Sequence, residues 1–149
     1  MTFVIFMLLN ACYNIFKLMN MNKKPLIETS KKIAASLSAI ASPQRVAILL
    51  AIGNGEACVC HLEAALGWRQ AYISQHLMAL RKADILQDHR EGRYVYYKLK
   101  NTALLNLLVQ SAPLGGLSSE TVSVLINAQN YPSCECPHCA PAIIRASSL

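Results

Sequence analysis

The sequence predicts a mainly α-helical fold with one small β-hairpin, and three observations carry that expectation. Apolar residues recur at helical spacing in several short runs, some of them closed by glycine or proline. The stretch Cys58–Lys82 divides into two such runs around a tight turn. Directly after it, Arg93–Leu99 is rich in Tyr and Val, which suit a pleated strand, with Leu86–Arg90 as its partner and Glu91-Gly92 as the turn.

The pair of helices is the most informative part. Cys60–Leu66 carries Leu62, Ala65 and Leu66 on one side, and Gly67 closes it, because glycine takes the left-handed conformation without steric cost. Arg69–Lys82 repeats Ile73, Leu77 and Leu80 at i, i+4 and i+7. The remaining positions, Arg69, Gln70, Ala71, Tyr72, Ser74, Gln75 and His76, include no acid, and most can donate or accept hydrogen bonds. Such a face suits the DNA major groove, where base edges present a distinguishable donor and acceptor pattern. The hairpin that follows carries Arg90 and Arg93 near its tip, a basic wing suited to phosphates or the minor groove. Together these elements make a winged helix-turn-helix.

Composition agrees. The 149 residues suit one domain and carry a net charge of +6, which favours a polyanionic partner. Only 15% of residues are charged while 54% are apolar, more than one small domain hides, so a homodimer is expected to cover the excess.

The other elements follow in order. Residues 1–22 form an apolar extension that lacks the basic start of a signal peptide, and Asn10, Asn14 and Lys17 interrupt it as a membrane span. The polar lead-in MNKKP favours a start at Met19 or Met21, and no membrane partner is expected. A winged domain is expected over 23–112. It opens with a helix at Pro25–Ala41 striped by Ile33, Leu37 and Ile40. Ser42-Pro43 signals the next helix, Pro43–Ile52, with serine as cap and proline at the first helical position. After the wing, Asn101 caps a leucine-rich helix, Thr102–Ser111. Residues 113–149 hold an extra helix, Glu120–Ala128, and a tail, YPSCECPHCAP, with Cys134, Cys136, His138 and Cys139.

These segments resemble the ArsR/SmtB family of metal-responsive, dimeric winged-helix repressors. The resemblance rests on SPQRVAILLAI (Ser42–Ile52), the Cys58-Val59-Cys60 pair with HLEAALG, RQAYISQHLMALRKADIL, and GRYVYYKL in the wing, and covers roughly Leu26 to Gln110. It implies a dimer seam between the first helix and the leucine-rich helix, and a cytoplasmic repressor. The chain departs from the family in three places. Glu63 stands where the arsenic-sensing branch often has a third cysteine, Thr102–Ser111 lacks the Asp and His pairs of the family's other metal site, and Arg69 replaces a common serine.

Six cysteines, most of them in two tight clusters, point to thiolate ligation or redox chemistry. Residues two apart point about 200° away from each other in a helix but share a face in extended backbone. Chelation by both Cys58 and Cys60 therefore requires a non-helical or unwound helix start. A helix N-terminus is also expected to lower thiol pKa values. Two thiolates do not complete a site, and the tail cysteines Cys134, Cys136 and Cys139 offer the missing ligands. A separate tail site and reversible disulfide or persulfide formation are the rival readings.

The function expected from the sequence is a DNA-binding repressor released from its operator by a thiophilic metal or metalloid: arsenite, cadmium, lead or zinc. The alternative is a redox- or persulfide-sensing repressor. A thiol enzyme using Cys58 lacks an acid/base constellation, since His61 is the only nearby histidine. His61 is expected as a partly exposed helix residue, and Trp68 as a lid on the helical hairpin.

Overall fold

The computed structural model describes residues 25–127 together with Cys134 and Cys136. The chain divides into two compact units, Met1–Ser38 and Ala39–Leu149. Helix α1, Pro25–Ile40, supplies the described part of the first unit. Every α1 side chain through residue 38 is exposed, including Ile33 (56%) and Leu37 (44%) of the expected stripe. Among the described residues no single helix is long and apolar enough to cross a membrane.

The second unit orders α2 (Pro43–Ile52), β1 (Glu56–Cys58), α3 (Val59–Leu66), α4 (Gln70–Lys82), β2 (Leu86–Glu91), β3 (Tyr94–Leu99), α5 (Ala103–Ser111), a 3-10 turn at Ala112–Gly115, and α6 (Ser119–Asn127). Proline at the start and Gly53 after the end set α2, as expected. Ser42 is the extended N-cap, but its hydroxyl is 2.7 Å from Gln44 Oε1 and makes no cap bond to the backbone. Gly67 closes α3 at φ 67 in the left-handed region. Arg69 caps α4 without a side-chain bond, as expected for a residue with no acceptor. Asn101 Oδ1 accepts the Ala103 N–H at 2.9 Å, so it does cap the start of α5.

The sheet has three antiparallel strands in the order β1-β3-β2, one more than the expected hairpin. β1 pairs with the inner strand in the register Glu56↔Lys98, Ala57↔Tyr97 and Cys58↔Tyr96. It is only three residues long, too short for alternation to show in the sequence. The wing pairs Leu86↔Leu99 through Glu91↔Tyr94, which moves the turn to Gly92-Arg93, with Gly92 at φ 57.

One core joins α2, β1, α3, α4, the sheet, α5 and α6: Ile48, Leu49, Ile52, Leu62, Ile73, Leu77, Leu80, Leu86, Leu105, Val122 and Ile126 are all buried in it. The stripe expected on α4 is therefore its core face. Arg81 Nε lies 2.7 Å from Asp88 and ties the end of α4 to the wing. The apolar face of α4 matters more, since exposed ion pairs contribute little. Leu77 is 1% exposed. Leu77→Ala should cost about 2–5 kcal/mol in urea unfolding. A loss under about 0.5 kcal/mol, the range of surface substitutions, would contradict this packing.

Candidate metal centre and nucleic-acid interface

Cys58 occupies two structural positions at once. It is the last residue of β1 and the N-cap of α3, with extended backbone at φ −83, ψ 169. The condition for pairing it with Cys60 is thus met without unwinding α3. Their sulfurs lie 2.7 Å apart, while the His61 N–H donates to Cys58 Sγ at 3.4 Å. Cys134 brings its sulfur to 3.2 Å from Cys60 and 3.9 Å from Cys58. With Cys136, the four sulfurs all lie within 4.8 Å of one another. Cys58, Cys134 and Cys136 are buried and Cys60 is half-buried. Cys139 and His138 lie outside the described residues.

Burial decides the electrostatics. It raises the Cys58 thiol, and the Cys60 sulfur raises it further, against the lowering effect of the His61 N–H. Burial also pushes Cys60 up to about 11, although the Cys58 contact lowers it. The sequence expectation of depressed thiol pKa values is therefore corrected: desolvation outweighs the helix N-terminus. Burial thus favours the neutral thiol at both Cys58 and Cys60. A divalent ion would repay the desolvation of thiolates directly.

The donor set fits a soft ion. Zinc–sulfur bonds of about 2.3 Å in a tetrahedron put sulfurs ~3.8 Å apart. The Cys58–Cys134 separation already matches, and the Cys58–Cys60 pair must open by on the order of 1 Å. His61 is 6% exposed, its pKa lowered by burial, and it stands outside the group of converging ligands. It is a core histidine, not the partly exposed one expected.

Tyr96 was not visible as a site residue from the sequence. It is 1% exposed and packs with Cys58, Cys134 and Cys136, with Cys60, Ala64 and Tyr94 around them. Burial raises its phenol pKa, and the adjacent Cys136 raises it further. Its ring stacks on His89 at 5.5 Å, and His89 Nδ1 is 3.7 Å from Glu56. The signal that could have found it is the register Cys58↔Tyr96, which depends on the strand the sequence did not reveal.

On α4, Arg69, Gln70, Ala71, Tyr72 and Gln75 are exposed, while Ser74 and His76 are half-buried. Trp68, Tyr72 and His76 form an edge-on ladder, with ring centroids 5.6 and 4.8 Å apart. Trp68 packs against the core, as a lid would. Arg90 and Arg93 are exposed at the wing tip. Arg90 Nε donates to the Gly92 carbonyl at 3.0 Å. Arg93 lies over the Tyr94 ring at 5.1 Å and donates to its hydroxyl at 2.9 Å. A cavity of about 370 Å³ is lined by Cys58, Cys60 and Glu63 together with Gln70, Ser74 and Arg93. The thiols and the expected reading residues thus share one cleft.

An exposed, acid-free helix beside a basic hairpin, with a thiol cluster where sheet and helices join, defines a winged helix-turn-helix regulator. The comparisons specify it. Residues 42–88 match the family described as bacterial regulatory protein, arsR family. The chain is 33% identical over 81 residues to a transcriptional repressor SmtB homolog of Synechocystis, spanning 54% of this chain and 61% of that one. It is 53% identical over 51 residues to the arsenic resistance transcriptional regulator ArsR1 of Pseudomonas putida, 34% of this chain and 40% of that one. It is 33% identical over 81 residues to the regulator NmtR of Mycobacterium tuberculosis, 54% of this chain and 68% of that one. Among solved structures, the regulator HlyU of Vibrio vulnificus superposes with a TM-score of 0.55 at 36% identity, covering 58% of this chain and 94% of that one. The chain belongs to the arsR family of bacterial regulatory proteins. These relatives are regulators of transcription, not enzymes.

The raised thiol pKa values give a direct expectation. In the reduced, metal-free protein at pH 8, iodoacetamide should label Cys60 more slowly than a free thiol of pKa about 8.5, because only the thiolate reacts. Labelling should accelerate as the pH approaches about 11. Peptide mapping that finds Cys60 labelled at least as fast as the free thiol would contradict the buried cluster.

Proposed function

We propose that the protein is a cytoplasmic, homodimeric repressor that a thiophilic metal or metalloid ion, held by cysteine thiolates, releases from its operator. The observation that carries this reading is the convergence of Cys58, Cys60, Cys134 and Cys136 at the β1–α3 junction. In it, residues 23–112 are the reading domain, 113–149 bring the tail ligands, and 1–22 are an extension.

The DNA side rests on Arg69, Gln70, Ala71, Tyr72, Ser74, Gln75 and His76 in or capping α4, and on Arg90 and Arg93 in the wing. Exposed apolar residues on α1 (Leu26, Ile27, Ile33, Leu37) and α5 (Leu107) support a second copy as partner. Two reading helices then meet two half-sites.

On the effector side, a bound ion supplies bonds to sulfur that hold the tail against β1 and α3. Cys58 fixes the end of β1 and Cys60 the first turn of α3. Widening their 2.7 Å separation shifts α3 against the sheet. Through the Gly67–Arg69 turn, α3 sets the position of α4. Release follows when the two α4 helices no longer match their half-sites. The P. putida relative is an arsenic resistance regulator, which supports an arsenic species such as arsenite as one effector, and four converging thiols suit cadmium, lead or zinc as well. The close Cys58–Cys60 contact favours one second reading, a redox- or persulfide-sensing repressor without metal.

A gel shift on DNA upstream of the protein's own gene tests the reading. Cadmium, arsenite, lead or zinc should weaken binding by about 5–150-fold, the usual range of such coupling. C134S/C136S should abolish most of that effect while leaving metal-free binding intact. Release by persulfide alone would favour the second reading, and no response to any of them would reject sensing. Binding should also weaken steeply with salt, and Arg93→Ala should reduce the salt slope by about 1. An unchanged slope would remove Arg93 from the phosphate contacts.

A further inference from the structure

The shift of α3 does not involve the wing, yet Tyr96 and Tyr94 of the wing strand pack against the cluster. Tyr96 sits on β3, the inner strand, opposite Cys58 on one side and His89 on the other. Its side chain is 1% exposed and belongs to the same buried group as Cys58, Cys134 and Cys136. A phenol in such a place needs a partner for its hydroxyl, and the buried residues grouped with it are the cysteines of the cluster. The ring continues outward along β3. It lies 6.4 Å from the Tyr94 ring, two residues nearer the tip, and Arg93 rests over Tyr94 at 5.1 Å. Sideways it stacks on His89 of β2, which reaches Glu56 of β1. An unbroken row of aromatic contacts therefore runs from the sulfurs to the arginine at the wing tip.

We propose that Tyr96 is a positioning residue of the cysteine cluster, its buried hydroxyl donating a hydrogen bond to the Cys136 sulfur and joining the cluster to the wing. This rests on the metal-binding reading of the cluster. A thiolate bound to an ion accepts such a bond more strongly than a neutral thiol does, because the acceptor is charged. The donor orients the sulfur and disperses its charge, as outer partners of metal ligands do. Loading then draws Tyr96 toward Cys136. The rings of Tyr94 and His89 follow, and the wing changes its approach to the phosphates together with α4. The reading helix and the wing would respond to one event through two separate contacts.

Tyr96→Phe tests this, since it keeps the ring and removes only the hydroxyl. Full-length protein is titrated with cadmium chloride, following the sulfur-to-cadmium absorption band, and operator affinity is measured with and without cadmium. Y96F should bind metal-free operator within about twofold of wild type, yet take cadmium about 10–100-fold more weakly. Its cadmium-driven release should shrink accordingly. In wild type labelled at tyrosine Cζ, the carbon resonance that Y96F removes should shift on cadmium loading, a readout that does not depend on how well the variant folds. Equal cadmium affinity and equal release in Y96F overturn the proposal while the metal site stands. So does a tyrosine resonance that ignores cadmium, or a loss of operator affinity in metal-free Y96F, which would make Tyr96 merely structural. Wild type that takes up no cadmium removes the metal reading and this proposal together.

Discussion

The site depends on the backbone of Cys58. This residue ends a strand and caps a helix in the same extended conformation. That is the geometry in which residues two apart bring their side chains to one side. Had α3 begun one turn earlier, Cys58 and Cys60 would point in opposite directions. The pairing of β1 with β3 holds Cys58 extended, so the sheet, not the helix, makes the chelating pair. The same pairing sets Tyr96 opposite Cys58 and brings the wing strand into the cluster. The His61 N–H, one of the unsatisfied donors of the first turn of α3, is used on the sulfur itself.

Two opposing terms act on those sulfurs. A helix N-terminus favours thiolate, typically by 0.3–1 kcal/mol where exposed. Burial of several thiols beside one another disfavours it, and here burial is the first cause of both raised pKa values. A Cys58–Cys60 pair that favours the protonated form when empty and gives up protons when loaded is inert to casual chemistry, yet suited to a cation of high sulfur affinity. Its affinity must then depend on pH, since binding releases protons.

Much of the fold was legible because it follows local rules. The stripe Ile73, Leu77, Leu80, the left-handed Gly67 and the Pro43 start each act within a few residues, and α2, α3 and α4 stand where those signals put them. The wing was legible from Val95 and its neighbouring tyrosines. What stayed hidden is non-local. β1 has three residues and exists only because β3 pairs with it. Tyr96 joins the cluster through that pairing, and Cys134 and Cys136 arrive from more than seventy positions away. The fate of the thiol pKa values was misjudged for the same reason: burial is a property of the assembled core. His61, at 6% exposure, makes the same point.

The central claim is that tail and helix-start sulfurs form a single centre. X-ray absorption on the cadmium-loaded full-length protein counts the sulfur neighbours of the ion directly. The account predicts a shell of four sulfurs that loses two, replaced by lighter atoms, when Cys134 and Cys136 are both changed to serine. A sulfur shell untouched by those changes would contradict it.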